Sequence, residues 1–578
     1  MLPDKEKQSM QYTVFDIEAD ALLDDVTKIH CLSYRIFQDG KEISKGSLTN
    51  YQEVKDFVLN QSVLVGHNIV RYDIPVLEKL LGIKITARLI DTLALSWYLY
   101  PTRIKHGLEQ WGDDLGVKKP VILDWTNLAV KDYLHRCESD VEINSLLFSK
   151  QLSYLTQLYE ADSTQINNLI NYLVFKLDCA KEQEKIGCKV DRELVNTSLQ
   201  ELHALREEKI NALVEAMPKQ IKYKEVKKPS KTHKIDGSLS SAGDKWYSLL
   251  LDYNLPEDYD EVIMVQISEE SGNPSSTIQL KDWLFSLGWT PRVFEYRKNT
   301  KDEVNEVPQI YVNDEVCDSI KDLYEIEPAL ENLDMLSLIN HRIGIFESFL
   351  KSMNSNDYTK AEVAGLTNTL RFKHKKPIVN LPKVFKFYGE QIRGSIIRPS
   401  ENHLLCGSDM SSLEDSTKQH YMYFFDPEYV IQMRIPGFDP HLDIAVLAGM
   451  LTPEQVEQHK TKQVDYSEIR NKAKTVNFAG VYGAGPPKIA QSTGMPLQQA
   501  QRLHQTYWER NKAVKQVANA CQVKTTRVEG EVQMWLRNPV SNFWYSLRYE
   551  KDKFSTLNQG TGRVLTFNKL YAPLYSNI

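Results

Sequence analysis

Two carboxylates, Asp16 and Glu18, lie two residues apart at the end of the apolar run Tyr12–Ala19. Side chains two apart in a strand share one face. Carboxylates held side by side repel, and a divalent cation that prefers oxygen ligands relieves the repulsion. An Asp-x-Glu pair alone is also met on ordinary half-exposed strand edges. Two further acids extend it: Asp73, where an apolar strand ends in Gly66-His67-Asn68 and Tyr72-Asp73 opens a helix, and Asp140, on a helix whose apolar face follows. Four acids at strand and helix ends suit two-metal phosphodiester cleavage, in which one ion activates water and the other steadies the leaving oxygen.

A second constellation lies in the last third of the chain. The run His403–Met410 reads as an apolar strand that delivers Asp409 to its tip, and Glu414 follows five residues on, at the start of a helix. A strand-tip carboxylate is a natural metal ligand, although a helix-capping aspartate would look the same. Further on, Arg470, Lys474, Phe478 and Tyr482 recur every four residues. Four helical residues advance about 6 Å and drift only ~40° around the axis, so all four side chains lie along one stripe ~18 Å long. The two cations at its head suit phosphates, and the aromatics behind them suit a sugar and a base. The Gly-Ala-Gly-Pro-Pro stop after it separates this stripe from a plain snorkelling surface.

Positioning two such centres takes several structural units, and 578 residues provide three or four. A composition of 42% hydrophobic and 25% charged residues is that of a globular chain and excludes a disordered one. No stretch approaches the ~20 apolar residues of a membrane span, and the start has no signal-peptide pattern. Seven scattered cysteines without a Cys-x-x-Cys pair indicate neither a zinc site nor a disulfide framework, and fit a reducing cytoplasm. The net charge of −7 leaves room for local basic tracks at Lys222–Lys234 and Arg371–Lys376, each a nucleic-acid contact or a solvated loop. Residues 11–48 read as three strands with a turn at Asp39-Gly40, opening a mixed α/β unit that ends near residue 170 and includes a long helix from Asp132 through Leu152. Helix, glycine break and a long amphipathic helix follow over 174–217. Residues 218–275 read as an irregular inserted loop region, and helical text resumes at Gln279, over Ile320–Phe349, and over 465–522 with a break at Val481–Pro487.

The segments DIEA, HNIVRYDIPVL, DTLALS (Asp91–Ser96), HGLEQWG (His106–Gly112) and SDVEIN together resemble the 3′→5′ proofreading exonuclease domain of bacteriophage family A DNA polymerases, relatives of bacterial DNA polymerase I. GSDMSSLED and RNKAKTVNFAGVYGAG resemble motifs A and B of the same family. The resemblance implies an α/β and α+β multidomain fold: a ribonuclease-H-like exonuclease domain at 1–170, then a right-hand polymerase with thumb at 171–370, first part of the palm at 371–440, fingers at 441–540 and an incomplete second part of the palm at 541–578. It implies that Asp16, Glu18, Asp73 and Asp140 hold two Mg²⁺ or Mn²⁺ ions in the exonuclease. It further implies that Asp409, helped by the carbonyl of Met410, holds two ions in the polymerase. The substrates implied are primer-template DNA and dNTPs. Glu414 would close the sugar pocket, Arg470, Lys474 and His441 would hold the triphosphate, Phe478 would pack on the incoming nucleotide, and Tyr482 would stack where the template turns. Arg393 would read the primer-terminal minor groove, and Gln559 would lie beside the duplex. The lysine-rich insertion falls where some relatives carry a processivity-factor site, and is read as such a site or as a flexible loop.

Two departures from the family pattern stand out. The tyrosine usually found four residues before the last aspartate is Arg136 here, while His135 stands five before Asp140, the spacing of the histidine-type branch whose imidazole deprotonates the attacking water. Tyr133 is the other nearby candidate. The family's His-Asp-Glu hairpin, motif C, occurs nowhere in the sequence. The expectation is therefore the large subunit of a split polymerase whose second chain carries that motif, or else a truncated product. A chain acting only as a 3′→5′ exonuclease, or an inactive primer-template scaffold, are the alternatives.

Overall fold

The computed structural model describes residues 11–122, 128–298, 304–312, 315–375, 377–410, 413–481, 484–528, 531–547, 549–551 and 564–566. Val14, Phe15 and Ile17 are buried along β1 (Gln11–Ala19), whose near-continuous apolar text fits a strand covered on both faces. It lies in the middle of a five-stranded sheet with β2 (Ile29–Gln38), β3 (Lys41–Leu48), β4 (Val63–Gly66) and β5 (Arg88–Asp91), in the order β3-β2-β1-β4-β5. The first three strands form an antiparallel meander, and β4 and β5 join in parallel. Asp39 and Gly40 both take positive φ, 51° and 79°, the two-residue turn that matches strand twist.

Five helices belong to this unit: α1 (Tyr51–Leu59), α2 (Asp73–Leu81), α3 (Thr92–Leu99), α4 (Leu108–Leu115) and the 29-residue α5 (Val130–Leu158). The buried side of α5 carries Tyr133, Cys137, Asp140, Val141, Asn144, Leu147, Phe148 and Gln151, a three-and-four spacing that lays one stripe against the sheet. Its core is continuous with Trp535, Phe543, Trp544 and Tyr545. Three of these lie in the C-terminal antiparallel sheet Val523–Val528, Glu531–Arg537 and Trp544–Leu547, and Phe543 just precedes its last strand; the sheet spans the boundary drawn at 540/541. Polar bonds reinforce that seam: Tyr98 donates to the Trp544 carbonyl at 2.6 Å, and the hydroxyls of Tyr154 and Thr526 share a bond at 3.1 Å.

Beyond it, α6 (Ser163–Ile186) stops at Gly187, whose φ of +64° and 2.8 Å clearance from the Thr359 carbonyl leave no room for a β-carbon. Then come β6 (Cys188–Val190) and α7 (Arg192–Ala216), the latter packed on the helix Leu336–Ser352. Residues 218–275 are not irregular as expected. They form β7 (Gln220–Val226), α8 (Ser241–Asp252) and β8 (Ile263–Glu270), with Trp246, Leu250 and Ile263 as a small core of their own. Lysines at one end of the insert and acids at the other pair across the strands at the surface, Lys219 with Glu269 and Lys222 with Glu270, while the apolar core holds text that reads as polar loop.

The run His403–Met410 also differs from expectation. It makes no ladder and is exposed throughout, with Leu404 at 89% and Leu405 at 61%. A strand exists only where a neighbour takes its backbone hydrogen bonds, and among the described residues none lies beside this segment. No helix among the described residues is long and apolar enough to cross a membrane.

Candidate active sites

Ligand oxygens of Asp16, Glu18 and Asp140 lie within 4.8 Å of one another. Asp73 joins them through the backbone between the pair, because its Oδ1 accepts from Ile17 N at 3.2 Å. Strand alternation aims Asp16 and Glu18 at one face, the first turn of α2 supplies Asp73, and α5 supplies Asp140 across the sheet. Burial pushes the Asp16 carboxyl well up, and Asp140, Asp73 and Glu18 add to the effect. Burial likewise raises Glu18 to about 6 against the opposing Arg136, and Asp73 to about 7. Asp140 is raised by burial against Lys119 and Arg136. Its Oδ1 is buried and has no hydrogen-bond partner among the described residues. An all-oxygen donor set with an orphaned buried carboxylate oxygen fits a hard divalent cation such as Mg²⁺ or Mn²⁺.

Two cations already face these acids. Arg136 Nε sits 3.1 Å from Glu18 Oε1, and Lys119 Nζ is in contact with Asp140 Oδ2. Sequence reasoning missed Lys119, which lies far from any motif. Arg136 reads in the sequence as a departure from the family tyrosine, yet its spacing gives its direction: four helical residues return to within ~40° of Asp140. His135, at five, is turned ~140° away. It lines a groove of about 410 Å³ with Arg35, Lys45, Glu138 and Glu142, and none of the four acids is in its walls. The structure therefore does not bring His135 to the acids. Tyr133 is buried and stacked on His30, ring centroids 3.8 Å apart.

A second layer sets these positions. Asp91 caps α3 and accepts from Asn68 N, Val70 N, Leu93 N and Ala94 N at 3.0–3.3 Å, tying the loop that leads to Asp73 onto α3. Burial lifts its pKa to about 6 although four N–H groups oppose the shift. Thr92 beside it bonds Asn144 Oδ1 of α5 at 2.7 Å and His67 Nδ1 at 2.9 Å. The DTLALS text signalled this layer without giving its task.

The second centre is built on the helices Pro440–Leu447 and Ser467–Val481. Asp439 caps the first of these, accepting from His441 N and Leu442 N at 2.8 and 3.1 Å, and its other oxygen takes Arg470 Nε at 2.6 Å. The Arg470 bond and these caps outweigh burial and hold the Asp439 carboxyl below its ordinary range. His441 is buried, takes Asn477 Nδ2 against Nδ1 at 3.0 Å, and lies 5.9 Å, ring to ring, from Phe478. Lys474 Nζ is 5.9 Å from the Phe478 ring. Arg470, Lys474, Phe478 and His441 are thus brought together. Sequence reading missed Asp439 and Asn477, which orient them. Asp409 and Met410 lie on the exposed extended run, and Met410 borders a cavity of about 390 Å³ with Thr417, His420 and Asn538. Arg393 is exposed, with Nε on the Pro382 carbonyl at 2.6 Å and Nη2 on the Leu381 carbonyl at 3.1 Å. Tyr482 and Gln559 lie outside the described residues, and Glu414 opens the helix Leu413–Met422 with its side chain outside them.

Residues 256–541 match the family described as DNA polymerase family A. Over 91% of this chain and 84% of each relative, the sequence is 25% identical to the DNA-directed DNA polymerases of Escherichia phage T7 and Enterobacteria phage T3. DNA polymerase I of Helicobacter pylori (strain J99) is 24% identical over 37% of this chain and 22% of its own length. Among solved structures, the polymerase domain of Pol1 from M. smegmatis, in complex with DNA primer-template and dNTP, superposes with a TM-score of 0.50 at 12% identity. The superposition covers 88% of this chain and 74% of that one, a likeness of fold.

Proposed function

We propose that the chain is a DNA-directed DNA polymerase of phage replication with 3′→5′ proofreading, organised as an exonuclease domain over 1–170, thumb over 171–370, palm over 371–440 and 541–578, and fingers over 441–540. The observation that carries the reading is the match of residues 256–541 to family A together with phage polymerases aligned over 91% of the chain. The grouping of Arg470, Lys474, His441 and Phe478 supports it, since it sets phosphate-binding donors beside an aromatic face.

The exonuclease reading is supported by the four acids and by the sheet order β3-β2-β1-β4-β5, on which a ribonuclease-H-like fold is proposed. Divalent ions at such centres supply water activation and stabilisation of the leaving oxygen. Asp16, Glu18, Asp73 and Asp140 would hold them, and Asp409, assisted by Met410, would serve the polymerase site. Glu414, Tyr482, Arg393 and Gln559 keep the roles that the resemblance gives them. His135 is not assigned the base.

Nucleotide addition needs more than one carboxylate at the ion pair, and no His-Asp-Glu segment occurs in the sequence. We therefore assign the second carboxylate to a hairpin supplied from outside these 578 residues. A second polypeptide or a continuation of this one would carry it, and it would pair with the open edge at His403–Met410. The β7–α8–β8 insert is the proposed seat of any processivity partner. The test is primer extension and single-strand digestion by the purified chain, with and without an added polypeptide carrying the His-Asp-Glu segment. Digestion alone is expected without it, and extension sensitive to Asp409→Ala with it. Robust extension by the chain alone would refute the need for the hairpin, and absence of both activities under all conditions would favour a scaffold.

A further inference from the structure

Lys119 sits on the segment 116–122, which has neither helix nor strand and runs past the mouth of the acid centre. Its backbone is fixed at both sides. Gly116 closes α4 with φ +77°, Val117 N bonds the Gly112 carbonyl at 2.9 Å, and the Pro120 carbonyl takes Arg136 Nη1 at 3.0 Å. The Lys119 ammonium lies against Asp140 Oδ2, while Asp140 Oδ1 stays buried with no hydrogen-bond partner among the described residues.

The two cations differ in freedom. Arg136 is held twice, by Glu18 and by the Pro120 carbonyl, in the fixed fork of a guanidinium. Lys119 is held by Asp140 alone among the ion pairs and hydrogen bonds of the described residues, at the end of a four-carbon stem that swings without moving the backbone. A divalent cation entering among Asp16, Glu18 and Asp140 competes with the ammonium for the same oxygens. The displaced ammonium is left at the mouth, where an incoming polynucleotide brings phosphates, the anions a lysine binds as a point charge.

We propose that Lys119 is a substrate-positioning residue of the acid centre: it keeps Asp140 in place until a divalent cation takes that carboxylate, and then contacts a backbone phosphate at the 3′ end of single-stranded DNA. The proposal rests on the exonuclease reading. A purely structural role, holding Asp140 for the metal, makes the opposite forecast for metal affinity.

The experiment uses the full chain as wild type, Lys119→Met, Lys119→Arg and Asp16→Ala. Mn²⁺ binding without DNA is followed by electron paramagnetic resonance. Capture of a single strand bearing 3′-terminal 2-aminopurine is followed by its fluorescence in Ca²⁺. Lys119→Met is expected to bind Mn²⁺ more tightly than wild type, because the competing ammonium is gone. Its affinity for the 3′ end should fall about tenfold, the order that a charge-assisted hydrogen bond contributes, and Lys119→Arg should recover part of it. Parallel weakening of Mn²⁺ and DNA binding overturns the proposal in favour of the structural role, and no change in either also overturns it. If the wild type shows no Mn²⁺ binding that Asp16→Ala removes, the exonuclease reading itself fails, an outcome distinct from the other two.

Discussion

Replacing Asp73 by asparagine should stabilise the metal-free protein while abolishing removal of 3′ nucleotides. The Asp73 carboxyl is raised from 3.8 to about 7, chiefly by burial, with Asp91 and Glu18 adding to it. A raised carboxylate pKa means that the folded state holds its proton longer than the unfolded one does. The associated stability is complete below about pH 4 and is lost as pH climbs to about 7. Three units at about 1.4 kcal/mol each put the cost of ionised, metal-free Asp73 at ~4 kcal/mol above pH 7. Asparagine keeps an oxygen for Ile17 N and removes the charge, and hosting its amide returns part of the gain, leaving about 2–3 kcal/mol. Hydrogen exchange of the β1 peptide Gln11–Ala19 in EDTA measures local opening directly. Slower exchange in Asp73→Asn than in wild type is expected at pH 8, and most of the difference should vanish at pH 5 or on adding Mg²⁺ to the wild type. Equal exchange at pH 8, or a gain that does not depend on pH, would refute the electrostatic account.

Asp91→Ala should destabilise the N-terminal unit by about 2–4 kcal/mol by stranding four N–H groups, and should also cut digestion because the loop to Asp73 loosens; thermal unfolding and single-strand hydrolysis check the two effects. Asp439→Ala frees Arg470 and uncaps the His441 helix, and should raise the KM for dNTP about tenfold in an extension-competent assembly, with little change in 3′ digestion. Glu414→Ala should weaken discrimination against ribonucleotides more than it weakens dNTP use, measured as the ratio of the two kcat/KM values. Phe478→Tyr should raise dideoxynucleotide incorporation; an unchanged ratio would contradict the alignment of Ser467–Val481 with motif B.

What could be foreseen from the text follows the range of the forces involved. Periodicity placed Arg470, Lys474 and Phe478 on one stripe, and alternation placed Asp16 and Glu18 on one face, because helix and strand geometry is local. The same arithmetic puts Arg136, four residues before Asp140, on the side of the acids, whereas the placing of His135 in another groove is tertiary. Lys119 could not be foreseen, since it reaches Asp140 only through the path of the loop after α4. Asp439 and Asn477 are ordinary capping and amide residues until tertiary packing sets them against Arg470 and His441.

The run His403–Met410 fails for a reason of a different kind. Its composition is that of a strand, and β-propensity measures how well side chains fit a pleated, half-buried surface that neighbours provide. Among the described residues that surface is absent, so Leu404 and Leu405 stand in solvent. An apolar run without a sheet to pack on leaves leucine in solvent and its backbone bonded to water rather than to a neighbour. If the proposed hairpin docks on this run, the leucines would be covered and a second carboxylate would come beside Asp409. Under the proposed reading, one contact at this run would serve both folding and chemistry. Addition of the hairpin should consequently slow hydrogen exchange over His403–Met410 whenever it restores synthesis. Restored synthesis with unchanged exchange there would locate the second carboxylate elsewhere.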